Sequence, residues 1–232
     1  MEMVYVNVDQ GIPQYVYTNC KNCTSTMGIS LCSIKNRGCC YYQPRFTLLD
    51  IQRMSKSLKG LYILKSIRQL PSLEIHPFEI HAKGYFDQEG YTKYMESKNK
   101  VEAGNIRDHS IFFKACPFVK SGYGCSLPPR YRTYVCNLFL CDEVIEKIKD
   151  DRYFEAYIKE RERYVRWVDW ENTALKEILF EKKLNLVQDF HGTIKLLQQI
   201  PLNIYDFPQL PPIVISAGFS RGACWPISPI SI

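Results

Sequence analysis

The chain lacks the short signatures of the common catalytic folds. It has no glycine-rich dinucleotide or phosphate loop, no serine-hydrolase elbow and no zinc-protease helix motif. No apolar run approaches the roughly 18 residues that span a bilayer. The start, Met1 to Gln10, alternates apolar and polar residues and lacks the basic-then-apolar order of an export signal. Low-complexity tracts and internal repeats are also missing. These absences predict a globular chain, with no membrane partner, in the reducing cytoplasm.

Positive charge is not dense either. Residues 1–141 hold 18 Lys and Arg against 10 Asp and Glu, and residues 142–183 hold 10 against 12. The surplus is spread out, and no basic patch suited to nucleic acid is visible. It does coincide with the part of the chain that carries nine of the ten cysteines. Cations near thiols favour the thiolate, the form that binds metal.

Cysteine is what the chain has in excess. One group is Cys20, Cys23, Cys32, Cys39 and Cys40, and a second is Cys116, Cys125, Cys136 and Cys141. In a reducing compartment such clusters point to metal ligands rather than disulfides. The two-residue gap of Cys20-Lys21-Asn22-Cys23 lets two sulfurs turn toward one ion, and Gly38 permits a tight turn before Cys39-Cys40. Adjacent side chains diverge, so Cys39 and Cys40 would serve different metal atoms, or one cluster from a strained loop. The nine cysteines are enough for two zinc sites, two iron–sulfur clusters, or one cluster with spares. Cys224 lies apart in the tail and is read as a free cysteine.

The spacing of these residues resembles a known family. Gly38-Cys39-Cys40 is followed by Phe46-Thr47-Leu48-Leu49-Asp50-Ile51. Further on come Cys116-Pro117-Phe118-Val119, Tyr123-Gly124-Cys125-Ser126-Leu127 and Arg132-Thr133-Tyr134-Val135-Cys136. This order resembles the YkgJ-type cysteine-cluster family, described as zinc- or iron-chelating proteins. Flagellin lysine N-methylases carry a similar cysteine pattern. Thr133 stands where the family has proline, and the stretch from Cys23 to Cys39 is longer than the family's. The resemblance covers residues 20–141 and implies metal binding through zinc or an iron–sulfur cluster. By analogy alone it also admits an S-adenosylmethionine-dependent methylase acting on a protein or peptide substrate. A redox-active cluster would instead make the chain an electron carrier. Arg132 matches the family arginine, with a role beside a ligand sulfur or an anion, or in a surface salt bridge.

Other residues have duller readings. His76, His81 and His109 are zinc-ligand candidates but fit strand or loop positions as well. Asp108-His109 is an acid–base candidate only if the fold orients one onto the other. Tyr164, Trp167 and Trp170 read as core, and Arg161, Arg163 and Arg166 alternate with Glu160 and Glu162 as on a solvated helix face.

The expected fold is a single α+β domain over 1–232, mostly helical. A cysteine-cluster region, 18–141, would be organised by metal and packed on a helical region, 142–200, with an extended proline-rich tail, 201–232. Strands are expected at Val4–Val8 and Tyr15–Tyr17. A helix is expected from Thr47 to Leu58, ended by Gly60, and a second over Leu61–Leu70. Ile75–Phe86 has broken alternation, 87–110 reads as a polar loop, Ile111–Phe113 as a buried strand and 116–141 as a loop. One helix should run from Asp142 to about Trp170, continue over 175–186, and be followed by another over 186–200.

Overall fold

The computed structural model describes residues 1–22, 24–98, 100–102 and 106–215. The fold is α+β, with seven α-helices and four small antiparallel sheets among the described residues.

The chain opens as a hairpin, β1 (Glu2–Asp9) and β2 (Ile12–Tyr17), with Val4 opposite Tyr17 and Asp9 opposite Ile12. Gln10 and Gly11 both take positive φ, 52° and 77°, the primed turn whose twist matches the strands. A short strand, β3 (Arg45–Thr47), leads into α1 (Leu48–Ser55). The helix starts at Thr47 because the Asp50 carboxylate accepts from both its amide and its hydroxyl, each at 3.1 Å.

Gly60 does not end this helix. The break comes at Lys56-Ser57, and Ser57 caps α2 (Leu58–Arg68) by accepting from the Gly60 amide at 3.0 Å. A Cβ on Gly60 would stand 2.1 Å from the Met54 carbonyl oxygen, so glycine lets the two helices meet closely. The broken alternation after α2 resolves into a hairpin, β4 (Leu73–His76) and β5 (Glu79–Ala82), turned by Pro77-Phe78. β5 also pairs with β3.

The polar stretch 87–110 is not only loop. After β6 (Tyr85–Phe86), Asp87 caps α3 (Gln88–Glu96) through the Gly90 amide at 2.8 Å. Tyr94 on α3 joins Ile111, Phe112 and Phe113 in a small second core. These last three lie in a tight 3-10 turn, His109–Phe113, rather than a strand. The turn is set by Asp108, whose carboxylate accepts from the Ser110 amide at 3.0 Å.

β7 (Lys114–Ala115) pairs with β6, and then come β8 (Val119–Lys120), β9 (Gly124–Cys125) and the short α4 (Tyr134–Asn137). The helix expected from Asp142 is two helices, α5 (Asp142–Ile148) and α6 (Phe154–Glu181). Asp151 divides them, its carboxylate accepting from the Tyr153 amide at 2.8 Å. On α6 the buried face is Tyr157, Glu160, Tyr164, Val168, Leu175 and Leu179, a helical stripe. Glu160 therefore belongs to the interior and not to the expected solvated face. Tyr164 is buried as expected, whereas Trp170 is 75% exposed.

α7 (Phe190–Gln199) ends before Pro201, and the tail crosses the surface to β10 (Ile213–Ile215), which pairs with β1. The rest of the tail, with Cys224, lies outside the described residues.

One large core joins α1, α2, α6 and α7 to the hairpins and includes Cys116, Phe118, Leu127, Tyr131 and Leu138. Residues 45–82 and 116–138 thus share the apolar core of the helical region, and metal is not needed to order all of 18–141. No helix among the described residues is long and apolar enough to cross a membrane.

Candidate metal centre

The second cysteine segment is built on tight turns. Cys116 follows β7, and its amide donates to the Cys40 carbonyl at 2.8 Å. The β8–β9 hairpin turns through Gly122 and Gly124, at φ 75° and 89°, conformations that disfavour a side chain. At its tip the Gly122 amide donates to the Asn36 carbonyl at 3.0 Å and the Ser121 hydroxyl to the Lys35 carbonyl at 2.6 Å. The hairpin thus grips the first segment. Cys125 sits on β9 opposite Val119. A 3-10 turn over Pro129–Tyr131 then leads to Arg132, whose Nε donates to the Leu127 carbonyl at 2.7 Å. Thr133, at the family's proline position, precedes α4 and donates its hydroxyl to the Cys136 sulfur at 3.4 Å.

The first segment is organised by Arg37. This arginine is only 2% exposed, and its guanidinium donates to the carbonyls of Met27 (3.2 Å), Ile29 (2.8 Å), Ile111 (2.8 Å) and Gly38. Among the described residues no carboxylate pairs with it, and its buried Nε has no hydrogen-bond partner. Asn36 and Gly38 on either side take positive φ, 52° and 58°, which folds the loop around it. Its charge faces Cys32, Cys39 and Cys40.

The Cys116 thiol feels charge at Cys40, Cys125 and Cys136, the Cys136 thiol feels charge at Cys40 and Cys125, and the Cys40 thiol feels charge at Cys125. Burial pushes the Cys116 thiol up to about 12 and the Cys136 thiol up to about 11, and the neighbouring sulfurs add to both shifts. Hydrogen bonds oppose this, from the Phe118 backbone to Cys116 and from Thr133 to Cys136. The Cys40 thiol is also raised, chiefly by burial, against the pull of Arg132 and Arg37. One cysteine of the first segment and three of the second make up this group.

The other candidates lie elsewhere. Cys32 is buried beside the Ser30 hydroxyl at 3.3 Å. Cys39 neighbours Arg37 and Tyr41. Cys141 stands at the start of α5, near Glu143 and Ser25, and Cys20 is exposed. Cys23 lies outside the described residues. No disulfide links two of the eight described cysteines.

The histidines are engaged away from these sulfurs. His76 and His81 face Glu74 at 3.8 and 3.5 Å, and His109 Nδ1 is 2.9 Å from the Tyr94 hydroxyl. Asp108 is bound to the Ser110 amide and lies 3.8 Å from Lys114, so it does not orient His109 through a hydrogen bond.

Sulfur donors suit zinc or iron in kind, and four suit a tetrahedral shell in number. The distances do not yet match. Among the described residues, no group of three or more His, Cys, Asp or Glu side chains is gathered as a metal ion requires. Arg37 was not among the residues singled out by spacing, because its role depends on carbonyls far along the chain. Comparison of the chain with known protein families, with curated proteins and with solved structures finds no match.

Proposed function

We propose that this chain binds zinc or an iron–sulfur cluster through Cys40, Cys116, Cys125 and Cys136. The observation that carries the reading is the backbone bond from Cys116 to Cys40, which brings together two cysteine segments some 75 residues apart, with Cys125 and Cys136 near enough to act on these thiols. Arg37 and Arg132 flank the group, and their charge would offset that of four thiolates. The backbone already joins the segments at Cys116 and Cys40, which limits how far their thiols can stand apart. Sulfurs around one zinc stand roughly 3.8 Å apart, given Zn–S bonds of about 2.3 Å in a tetrahedron. The YkgJ-type resemblance agrees in motif order, and a reducing compartment such as the cytoplasm would keep the ligands as thiols. The metal-organised part then narrows to the first segment and its contacts with 116–141.

The test is metal loading of the reduced, metal-free protein. Cobalt(II) titration should give sulfur-to-metal charge-transfer bands with one equivalent bound, and anaerobic iron and sulfide should colour the protein if the site prefers a cluster. Binding should be tighter than about micromolar, as for structural zinc. Cys40→Ser and Cys136→Ser should each abolish the bands, while Cys20→Ser should leave them. Unchanged spectra in both of the first two variants would overturn the assignment.

A further inference from the structure

A separate cleft of about 490 Å³ lies between the β1–β2 turn, the α1–α2 junction, the Pro129–Tyr131 turn, α6 and the tail after α7. Its size is that of a small-molecule site. Two features of its lining stand out, an aromatic wall and an excess of positive charge.

The wall is formed by Tyr131, Trp167 and Tyr205, with Leu202 and Ile204 beside them. The rings of Trp167 and Tyr205 are 5.5 Å apart, and each also packs on buried Tyr164. The tail is drawn in closely, since a Cβ on Gly11 would stand 2.2 Å from Ile204 Cγ2. The hydroxyl of Tyr205 is bound to buried Glu160, which fixes its ring. The two ring planes are tilted by 54°, so a planar ring would lie against one of them with the other at its edge.

The cations are Arg53, Lys56 and Arg130. Arg53 is answered by Asp50 at 3.3 Å. Lys56 donates to the carbonyls of Gln198 and Ile200, and among the described residues it has no carboxylate partner. Arg130 donates through Nη1 to Gln10 at 2.9 Å. Its Nε makes no hydrogen bond and is ion-paired with Asp9 Oδ2 at 3.9 Å. Three cations set against the Asp9 and Asp50 carboxylates leave positive charge in excess, which favours an anionic ligand.

We propose that this cleft binds a nucleoside phosphate, with the base against Trp167 and Tyr205 and the phosphate at Arg130 and Lys56. The proposal is independent of the metal site.

Isothermal titration of the full chain with ADP, adenosine and inorganic phosphate tests it. ADP should bind saturably, with adenosine and phosphate each at least about tenfold weaker, the value of one charge-assisted contact. Arg130→Gln and Lys56→Gln should each weaken ADP by about tenfold. Lys56 is exposed, so its variant reads the site even if the arginine variant fails to fold. Trp167→Leu should weaken ADP and adenosine but not phosphate. The Cys40→Ser, Cys136→Ser double variant should bind ADP as the parent does, which separates the cleft from the metal reading. No saturable ADP binding below millimolar would overturn the proposal. So would ADP affinity unchanged in Lys56→Gln, or phosphate binding as tightly as ADP.

Discussion

The two cysteine segments are held by different forces. The second, 116–141, is rooted in the main core through Phe118, Leu127, Tyr131 and Leu138. Among the described residues of the first, 20–41, only Cys32 and Arg37 are buried, and its apolar residues Ile29, Leu31 and Tyr41 touch the small second core. One segment is fixed by apolar burial, which is cooperative with the whole domain. The other is held by the Arg37 guanidinium, a few backbone bonds, the β8–β9 grip and the bonds of Ser25 and Thr26 to the Glu143 carboxylate. A metal shared between them would be bound by one prepared wall and one movable arm. This refines the expectation that metal orders all of 18–141, because only the arm lacks its own core.

The largest effect should come from the rooted side. Phe118 is 7% exposed and meets the Phe46 ring edge-on at 5.8 Å. Phe118→Ala should cost about 3–5 kcal/mol, the usual loss for emptying a buried phenyl site. Because the site belongs to the shared core, denaturation followed by circular dichroism should show the whole domain losing stability. An effect confined to 116–141 would show that this segment is not part of the common core.

The arm should break locally and somewhat more cheaply. Arg37→Met keeps an apolar stem but removes the donors to the Met27, Ile29 and Gly38 carbonyls, while the Ile111 carbonyl keeps its bond from the Lys114 amide. The cost should be about 2–3 kcal/mol, set by orphaned buried acceptors less the relief of an unpaired buried charge. Hydrogen exchange should quicken at 26–41 and 109–113 and stay unchanged in α6. Uniform quickening would mean that the arm unfolds only with the rest of the protein.

Metal loading sharpens the same contrast with a smaller, one-sided change. Adding zinc to the reduced protein should slow exchange across 36–41 and the β8–β9 tip, and hardly alter α6 or α7. Equal protection of both halves would return the metal to the wider organising role.

The contrast also explains what could be read from the sequence. Most of the α6 stripe was legible because burial follows helical period, though its member Glu160 reads as surface by charge, and the first hairpin was legible because Gln10-Gly11 is a turn pair. The Thr47–Asp50 helix start was legible for the same local reason. Breaks set by one side chain were not: Asp151 splitting α5 from α6, and Ser57 rather than Gly60 marking a boundary. Helix α3 was hidden by polarity, since among its residues only Tyr94 is fully buried. The cysteines drew attention by spacing, yet which four converge depends on the Cys40–Cys116 contact. Arg37 and the cleft cations were invisible because their partners lie far along the chain.

The mildest probe leaves the fold intact and reads the thiols directly. Alkylation by iodoacetamide requires thiolate and access together. In the reduced, metal-free protein at mildly alkaline pH, Cys20 is exposed in its short 3-10 turn. Cys116 is 8% exposed, and burial holds its thiol near 12, so almost no thiolate is present and little reagent reaches it. Cys136, at about 11, should react nearly as slowly, with Thr133 hydrogen-bonded to its sulfur. Peptide mass spectrometry over time should therefore show Cys20 labelled first and Cys116 and Cys136 last. Arg37→Met should accelerate Cys39 and Cys40 by freeing the arm, while Cys116 keeps its slow rate. If Cys116 accelerates equally, the second segment depends on the first, and the division into prepared wall and movable arm fails.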